Sequence, residues 1–139
     1  MEQVDWLNYK DILRDIRKTI FIDEQSVSEE EEWDNFDELA IHVLASNDTG
    51  EAIGTGRIIK NGQIGRMAVL KPYRNLGVGS LLISKLLEIA AKKNINTVIL
   101  NAQQHAIGFY QKHGFTTGGE LFMETGIHHL EMVFNFKQE

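Results

Sequence analysis

The chain has 139 residues, of which 42% are hydrophobic and 24% charged, and its formal net charge is -6. This predicts a single domain over residues 1–139 with a real apolar core, and argues against a nucleic-acid partner, which would want clustered Lys and Arg. The chain has no cysteine, which excludes disulfides, thiolate metal sites and a cysteine nucleophile. No secretory leader and no apolar run approaching a membrane span is visible, so a soluble, cytoplasmic domain with a small-molecule ligand is expected.

In chain order, Val4 to Tyr9 reads as a short edge strand. Ile12, Leu13, Ile16 and Ile20 recur at helical spacing with Phe21 beside them, so Lys10 to Ile22 is predicted as an amphipathic helix. Asp23 to Glu38 is a carboxylate-rich loop or short helix, with Trp33 and Phe36 as anchors and the run Glu29 to Glu32 as solvated surface. Ala40–Ser46, Ala52–Lys60 and Gln63–Leu70 are strands separated by the turn signals Asn47-Asp48-Thr49-Gly50 and Asn61-Gly62, which predicts an antiparallel meander.

The pattern then changes. Val78, Leu81, Leu82, Leu86, Ile89 and Ala90 predict a helix from Gly77 to Lys93, and Thr97 to Leu100 is a β-branched strand. Strand, helix, strand implies a right-handed crossover between parallel strands. A short helix from His105 to His113 and strands over Phe115–Met123 and His128–Phe136 finish the chain. The fold class is α/β, with a mixed sheet.

Arg74-Asn75-Leu76-Gly77-Val78-Gly79-Ser80 lies between the third strand and the long helix. Its glycines allow close approach of an anion, and a helix N-terminus offers unpaired amides and partial positive charge. Arg74 and Lys71 can add charge-assisted contacts. A P-loop would need Lys before Ser80. A Rossmann loop would need a third glycine and a βα start. A tight turn with no ligand is the remaining alternative.

The order of motifs resembles a known family. Met67-Ala68-Val69, Arg74-x-x-Gly77-x-Gly79 and a long helix resemble the Gln/Arg-x-x-Gly-x-Gly/Ala region of the GNAT N-acetyltransferases. Phe109-Tyr110-x-x-His113-Gly114-Phe115 is similar to that family's helix after the next strand. Phe21-x-x-Glu24-Gln25 and Gly126-Ile127-x-His129 resemble its ElaA-like branch. The likeness covers nearly the whole chain.

The resemblance implies a GNAT-like fold whose parallel central strands splay around acetyl-CoA as co-substrate, with no metal. It implies that the backbone of Met67, Ala68 and Val69 and the side chain of Asn101 hold the pantetheine, and that the amides of Leu76 to Ser80 hold the pyrophosphate. It also implies that Tyr110 protonates the leaving thiolate. Ile64 to Val69 has no carboxylate, so the base lies elsewhere. His129 is a candidate, because histidine titrates near neutrality. With alternate facing, only one of His128 and His129 faces a given cleft. Glu24, Gln25 and His42, with Asp34 and Asp37 nearby, are candidates for the acceptor pocket, and Arg17 for pairing with one of these carboxylates. A small-molecule or peptide amine is the expected acceptor, and a homodimer is a possible assembly. The alternatives are a non-catalytic acyl-CoA-binding module and a nucleotide-binding domain.

Overall fold

In a computed structural model, which describes residues 1–34 and 36–136, the turn chemistry closes the hairpins where the sequence predicts them. Asn47 Oδ1 accepts hydrogen bonds from the amides of Thr49 and Glu51, which joins β2 (Ile41–Ser46) to β3 (Ala52–Ile58) in antiparallel register. Asn61-Gly62 turns β3 into antiparallel β4 (Gln63–Val69). β1 (Glu2–Val4) borders β2. The helix α3 (Val78–Lys92) then carries the chain to β5 (Thr97–Gln103), parallel to β4. After α4 (Ile107–Lys112), β6 (Thr116–Thr117), β7 (Phe122–Glu124) and β8 (Ile127–Asn135) complete the sheet. Its order is β1-β2-β3-β4-β5-β8-β6, with β7 also on β8. The mixed α/β sheet and its meander-then-crossover order are those expected.

Several boundaries move for identifiable reasons. Asp5 is extended and its carbonyl accepts the Tyr9 amide, so α1 spans Trp6–Arg17 and starts before Lys10; only Glu2–Val4 is strand. The chain continues as a π-helical segment, Lys18–Glu24, whose wider turn buries the adjacent Ile20 and Phe21. Ile12 and Leu81, expected on buried faces, are exposed, and Ile83 is buried instead. The predicted strand over Phe115–Met123 is two short pieces, interrupted at Gly119, whose φ is +74°.

The acidic stretch needs two corrections. Phe36 is 52% exposed and anchors nothing, whereas Glu32, at the end of the short helix α2 (Glu29–Glu32), is 3% exposed. Arg17, also buried, draws it inward. Arg17 Nε donates to Glu32 Oε2 at 2.6 Å and Nη1 donates to Asp37 Oδ1 at 2.8 Å. Trp33 packs its ring 5.2 Å from the Arg17 guanidinium.

The sheet has two cores. Leu82, Ile83, Leu86, Ile89 and Ala90 of α3 pack on one face with Val43 and Leu100. Leu13 and Ile16 of α1, with Ile20 and Phe21, pack on the other with Leu44 and Ala68. Each fully buried aliphatic side chain contributes about 1.5–3 kcal/mol.

Candidate active site

β4 and β5 pair at only two rungs, Gln63↔Ile99 and Ile64↔Leu100. The cause is a bulge on β4's other edge. Between the pairs Thr55↔Ala68 and Arg57↔Gly65, β3 has Gly56 alone where β4 has Arg66 and Met67. Arg66 takes φ +52°, an uncommon value for a residue with a Cβ. A bulge bends its strand, and beyond it the facing edges of β4 and β5 diverge. The gap opens into a cleft of about 680 Å³, lined by Met67, Ala68, Val69, Asn101, Tyr110 and His129 among others.

The glycine loop follows β4. Gly77 precedes α3 at φ +87°, with no atom within 4 Å of where a Cβ would stand. The helix has no side-chain cap, so the amides of Val78, Gly79 and Ser80 have no acceptor within the helix. Asn75 also has positive φ, at +64°, and Leu76 is exposed. Ser80 Oγ shares a hydrogen bond of 3.0 Å with His113 Nε2. This uncapped start beside a parted sheet edge fits a diphosphate joined to an amide-bearing arm.

Arg74 and Glu24 are engaged with each other. Arg74 Nε donates to the Val69 carbonyl at 2.8 Å, and its Nη1 and Nη2 donate to Glu24 at 2.7 and 2.9 Å. Those hydrogen bonds hold the Glu24 carboxyl below its ordinary range. Gln25 and Gln103 exchange amide hydrogen bonds, Gln103 Nε2 donating at 2.9 Å and Gln25 Nε2 at 3.3 Å. The last residue of the π-helical segment and the capping residue after it thus tie the ends of both diverging strands.

Tyr110 is 8% exposed, wedged between Phe109 and Phe115, with ring centroids 5.0 and 5.8 Å away. Burial pushes its hydroxyl pKa up to about 12, so the phenol stays protonated near neutral pH. His129 is buried while His128 is exposed, as alternation requires. His129 Nδ1 donates to the Ile127 carbonyl at 2.8 Å. A carbonyl only accepts, so in the neutral ring Nε2 carries the lone pair.

His42 stands apart from these residues. It is buried beneath Trp6, ring centroids 5.1 Å apart, its Nε2 donates to the Asp37 carbonyl at 2.9 Å, and it does not line the cleft. Burial lowers its pKa. Asp34 does reach the cleft, where Arg57 grips it through two hydrogen bonds of 2.8 and 2.6 Å. Gln103 lines the cleft as well, and so do Glu32, Arg57, Arg66 and Glu124, which were not singled out from sequence. The Thr125-Gly126 turn directly after Glu124 was the available signal for the last. Among the described residues, no cluster of His, Asp and Glu could hold a metal, and no helix is long and apolar enough to cross a membrane.

Comparison with known proteins gives the class. Residues 14–136 match the family model described as an acetyltransferase (GNAT) domain, and this chain belongs to that family. The Bacillus subtilis protein YyaT is 40% identical over 85% of this chain and 83% of its own. The crystal structure of Escherichia coli ElaA superposes with a TM-score of 0.86 at 28% identity, covering 96% of this chain and 98% of that one. A Bacillus anthracis acetyltransferase structure in complex with acetyl coenzyme A has a TM-score of 0.61 at 27% identity over 70% of this chain and 63% of its own.

Proposed function

We propose that the protein is an N-acetyltransferase that moves the acetyl group of acetyl-CoA to a primary amine of a small molecule or peptide. The observation that carries this reading is the two-rung pairing of β4 and β5, whose divergence brings Tyr110 and His129 into one cleft next to the uncapped α3. In this reading the edge of Met67, Ala68 and Val69 that β5 leaves unpaired bonds the pantetheine as an added strand would, with Asn101 opposite. The amides of Leu76 to Ser80 take the pyrophosphate. Arg74 holds the loop to the end of β4, and Glu24 and Gln25 border the acceptor side. His42 has a structural role in the α1 core.

The bound thioester supplies an activated acetyl carbonyl. His129 Nε2 removes a proton from the acceptor ammonium, the freed amine attacks the carbonyl carbon, and the carbon–sulfur bond breaks as the nitrogen releases its second proton to solvent, which leaves a neutral amide. A phenol with a pKa of about 12 is a weaker acid than a thiol, whose pKa is about 8.5. Tyr110 therefore steadies the departing thiolate by donating a hydrogen bond as charge develops. Full proton transfer to sulfur is completed from the His129 imidazolium or solvent.

Replacing Tyr110 by Phe tests this directly, after an acetyl-CoA consumption screen over amines, amino acids, polyamines and peptides has found an acceptor. Turnover is expected to fall about 100-fold, while calorimetry shows acetyl-CoA binding within about twofold of the unaltered chain, less than 0.5 kcal/mol. Undiminished turnover would remove Tyr110 from the chemistry. The second reading, an acyl-CoA-binding module, draws on the lack of a carboxylate along β4. It predicts acetyl-CoA binding with no transfer to any amine in the screen.

A further inference from the structure

The cleft holds four carboxylates on described side chains, and three have cationic partners. Glu24 is paired with Arg74 at 2.7 Å, Glu32 with Arg17 at 2.6 Å, and Asp34 with Arg57 at 2.6 Å and Arg66 at 3.1 Å. Glu124 is the exception. A titratable neighbour among the described residues is His129, with Glu124 Oε2 3.9 Å from His129 Nε2. That separation is too long for a hydrogen bond. Nor does Glu124 orient the imidazole, because the Ile127 carbonyl already fixes it through Nδ1.

The hairpin tip holds this arrangement in place. Glu124 and Ile127 are register partners joined by Thr125 and Gly126, with φ +52° and +77°. Two positive φ values are the pattern of a type I′ turn, and a β-branched residue at the first of them is strained. Thr125 Oγ1 donates to the Glu124 carbonyl at 2.6 Å, and Thr125 itself lines the cleft. Phe122, opposite His129 in register, stacks on its ring with centroids 6.0 Å apart. The turn fixes where the Glu124 side chain leaves the backbone, and Phe122 and the Ile127 carbonyl fix the His129 ring beside it.

We infer that Glu124 is the docking carboxylate for the acceptor's ammonium, and that the acceptor class is therefore cationic primary amines. Two hydrogen bonds of about 2.9 Å can converge from one nitrogen on acceptors at this separation. A primary ammonium seated there donates one proton toward Glu124 Oε2 and another toward His129 Nε2. Glu124 keeps its charge throughout, and the proton passes to Nε2, which leaves the nitrogen lone pair free for attack. The inference rests on the amine-acetylation reading, so its test separates the two.

The probes are n-propylamine, protonated near neutral pH like a lysine side chain, and hydroxylamine, which is neutral there. The first measurement needs no turnover. In the full chain, titrating n-propylammonium should shift the His129 ring resonances in NMR spectra, and Glu124→Gln should abolish that shift. No shift in the unaltered chain, or an equal shift in the variant, overturns the inference. The second measurement is kinetic. Losing a charge-assisted hydrogen bond should lower the ratio of kcat/KM for n-propylamine over hydroxylamine about tenfold, mainly through KM. Glu124→Asp should recover part of it. Equal losses on both probes, or no loss, would make Glu124 merely structural. If the unaltered chain binds acetyl-CoA yet acetylates neither probe, the transfer reading fails, and the NMR titration still decides the docking site.

Discussion

Against α3 the sheet buries Val43, Ile58, Ile64, Val98 and Leu100, an interior that is almost wholly hydrocarbon. Against α1 it buries Leu44 and Ala68 but also Arg17, Glu32, Asp37, His42 and Arg57. The α3 face needs only shape to hold the crossover and the loop before it. The face toward α1 and α2 must aim charged side chains, because Glu32, Asp34, Arg57 and Arg66 all border the cleft. Buried ion pairs gain little over apolar packing, since desolvation offsets much of their attraction. What they supply here is direction: Arg17 fixes the acidic segment through Glu32 and Asp37, and Arg57 fixes it through Asp34 and Asp37. One face is a scaffold, and the other arranges charge around the reaction space.

Removing Arg17 breaks that contrast most severely. Its guanidinium donates to Glu32 Oε2, Asp37 Oδ1 and the Glu32 carbonyl, with Trp6 and Trp33 packed around it. Arg17→Met keeps much of the volume but takes one cationic partner from each of the buried carboxylates Glu32 and Asp37. A loss of about 3–5 kcal/mol is expected in urea unfolding. On the opposite face Leu86→Ala should cost a comparable 2–5 kcal/mol through its cavity alone. A loss under about 1 kcal/mol for Arg17→Met would reduce the network to a surface-like pair.

Acidification probes the same network more gently. Burial alone would raise the Asp34 pKa, but hydrogen bonds and charge from Arg57, aided by the Phe36 amide and Arg66, bring it from 3.8 to about 2. A carboxylate depressed in the folded state binds protons more readily when unfolded. Its stabilisation is therefore complete above 3.8 and disappears as pH falls toward about 2. At 1.36 kcal/mol per pKa unit this amounts to roughly 2 kcal/mol. Glu32 acts in the opposite sense, because burial raises its pKa despite Arg66 and Arg17, so protonating it favours the folded state. Stability measured from neutral pH down to pH 2 should fall in the Asp34 window, and Asp34→Asn should remove that part of the fall. An unchanged acid limb in Asp34→Asn would show that the Arg57 pair contributes nothing.

The same contrast explains what was legible in the sequence. The α3 face was readable because its signals are local: a 3.6-residue period, glycines at a helix start, and turn residues between strands. The α1 face depends on pairs far apart in sequence. Arg17 meets Asp37 and Arg57 meets Asp34 across 20 and 23 residues, and nothing in four consecutive glutamates marks Glu32 for burial. Phe36 looked like an anchor because it is aromatic, yet its neighbours Asp34 and Asp37 are the residues held, and they are held by arginines. The π-helical turn escaped detection because Ile20 and Phe21 fit a 3.6-residue pattern well enough. Glu124 escaped notice because what sets it apart is the pairing of the other cleft carboxylates, Glu24, Glu32 and Asp34, with arginines distant in sequence.

The smallest effect on stability tests the scaffold side of the contrast. Gly56 sits opposite the bulge, and a Cβ there would stand 2.8 Å from Met67 Sδ and 3.0 Å from Leu86 Cδ1. Both are ends of flexible side chains, and methionine adapts readily, so Gly56→Ala should cost only about 1 kcal/mol. The route of relief matters more than the cost. Met67 lines the cleft on the strand proposed to hold the pantetheine. Displacing it should weaken acetyl-CoA binding about tenfold by calorimetry, a change of 1.4 kcal/mol, while the urea midpoint moves little. If affinity instead held while stability fell by about 3 kcal/mol, Leu86 would have absorbed the methyl group. Gly56 would then serve the α3 core, with no part in setting the width of the gap.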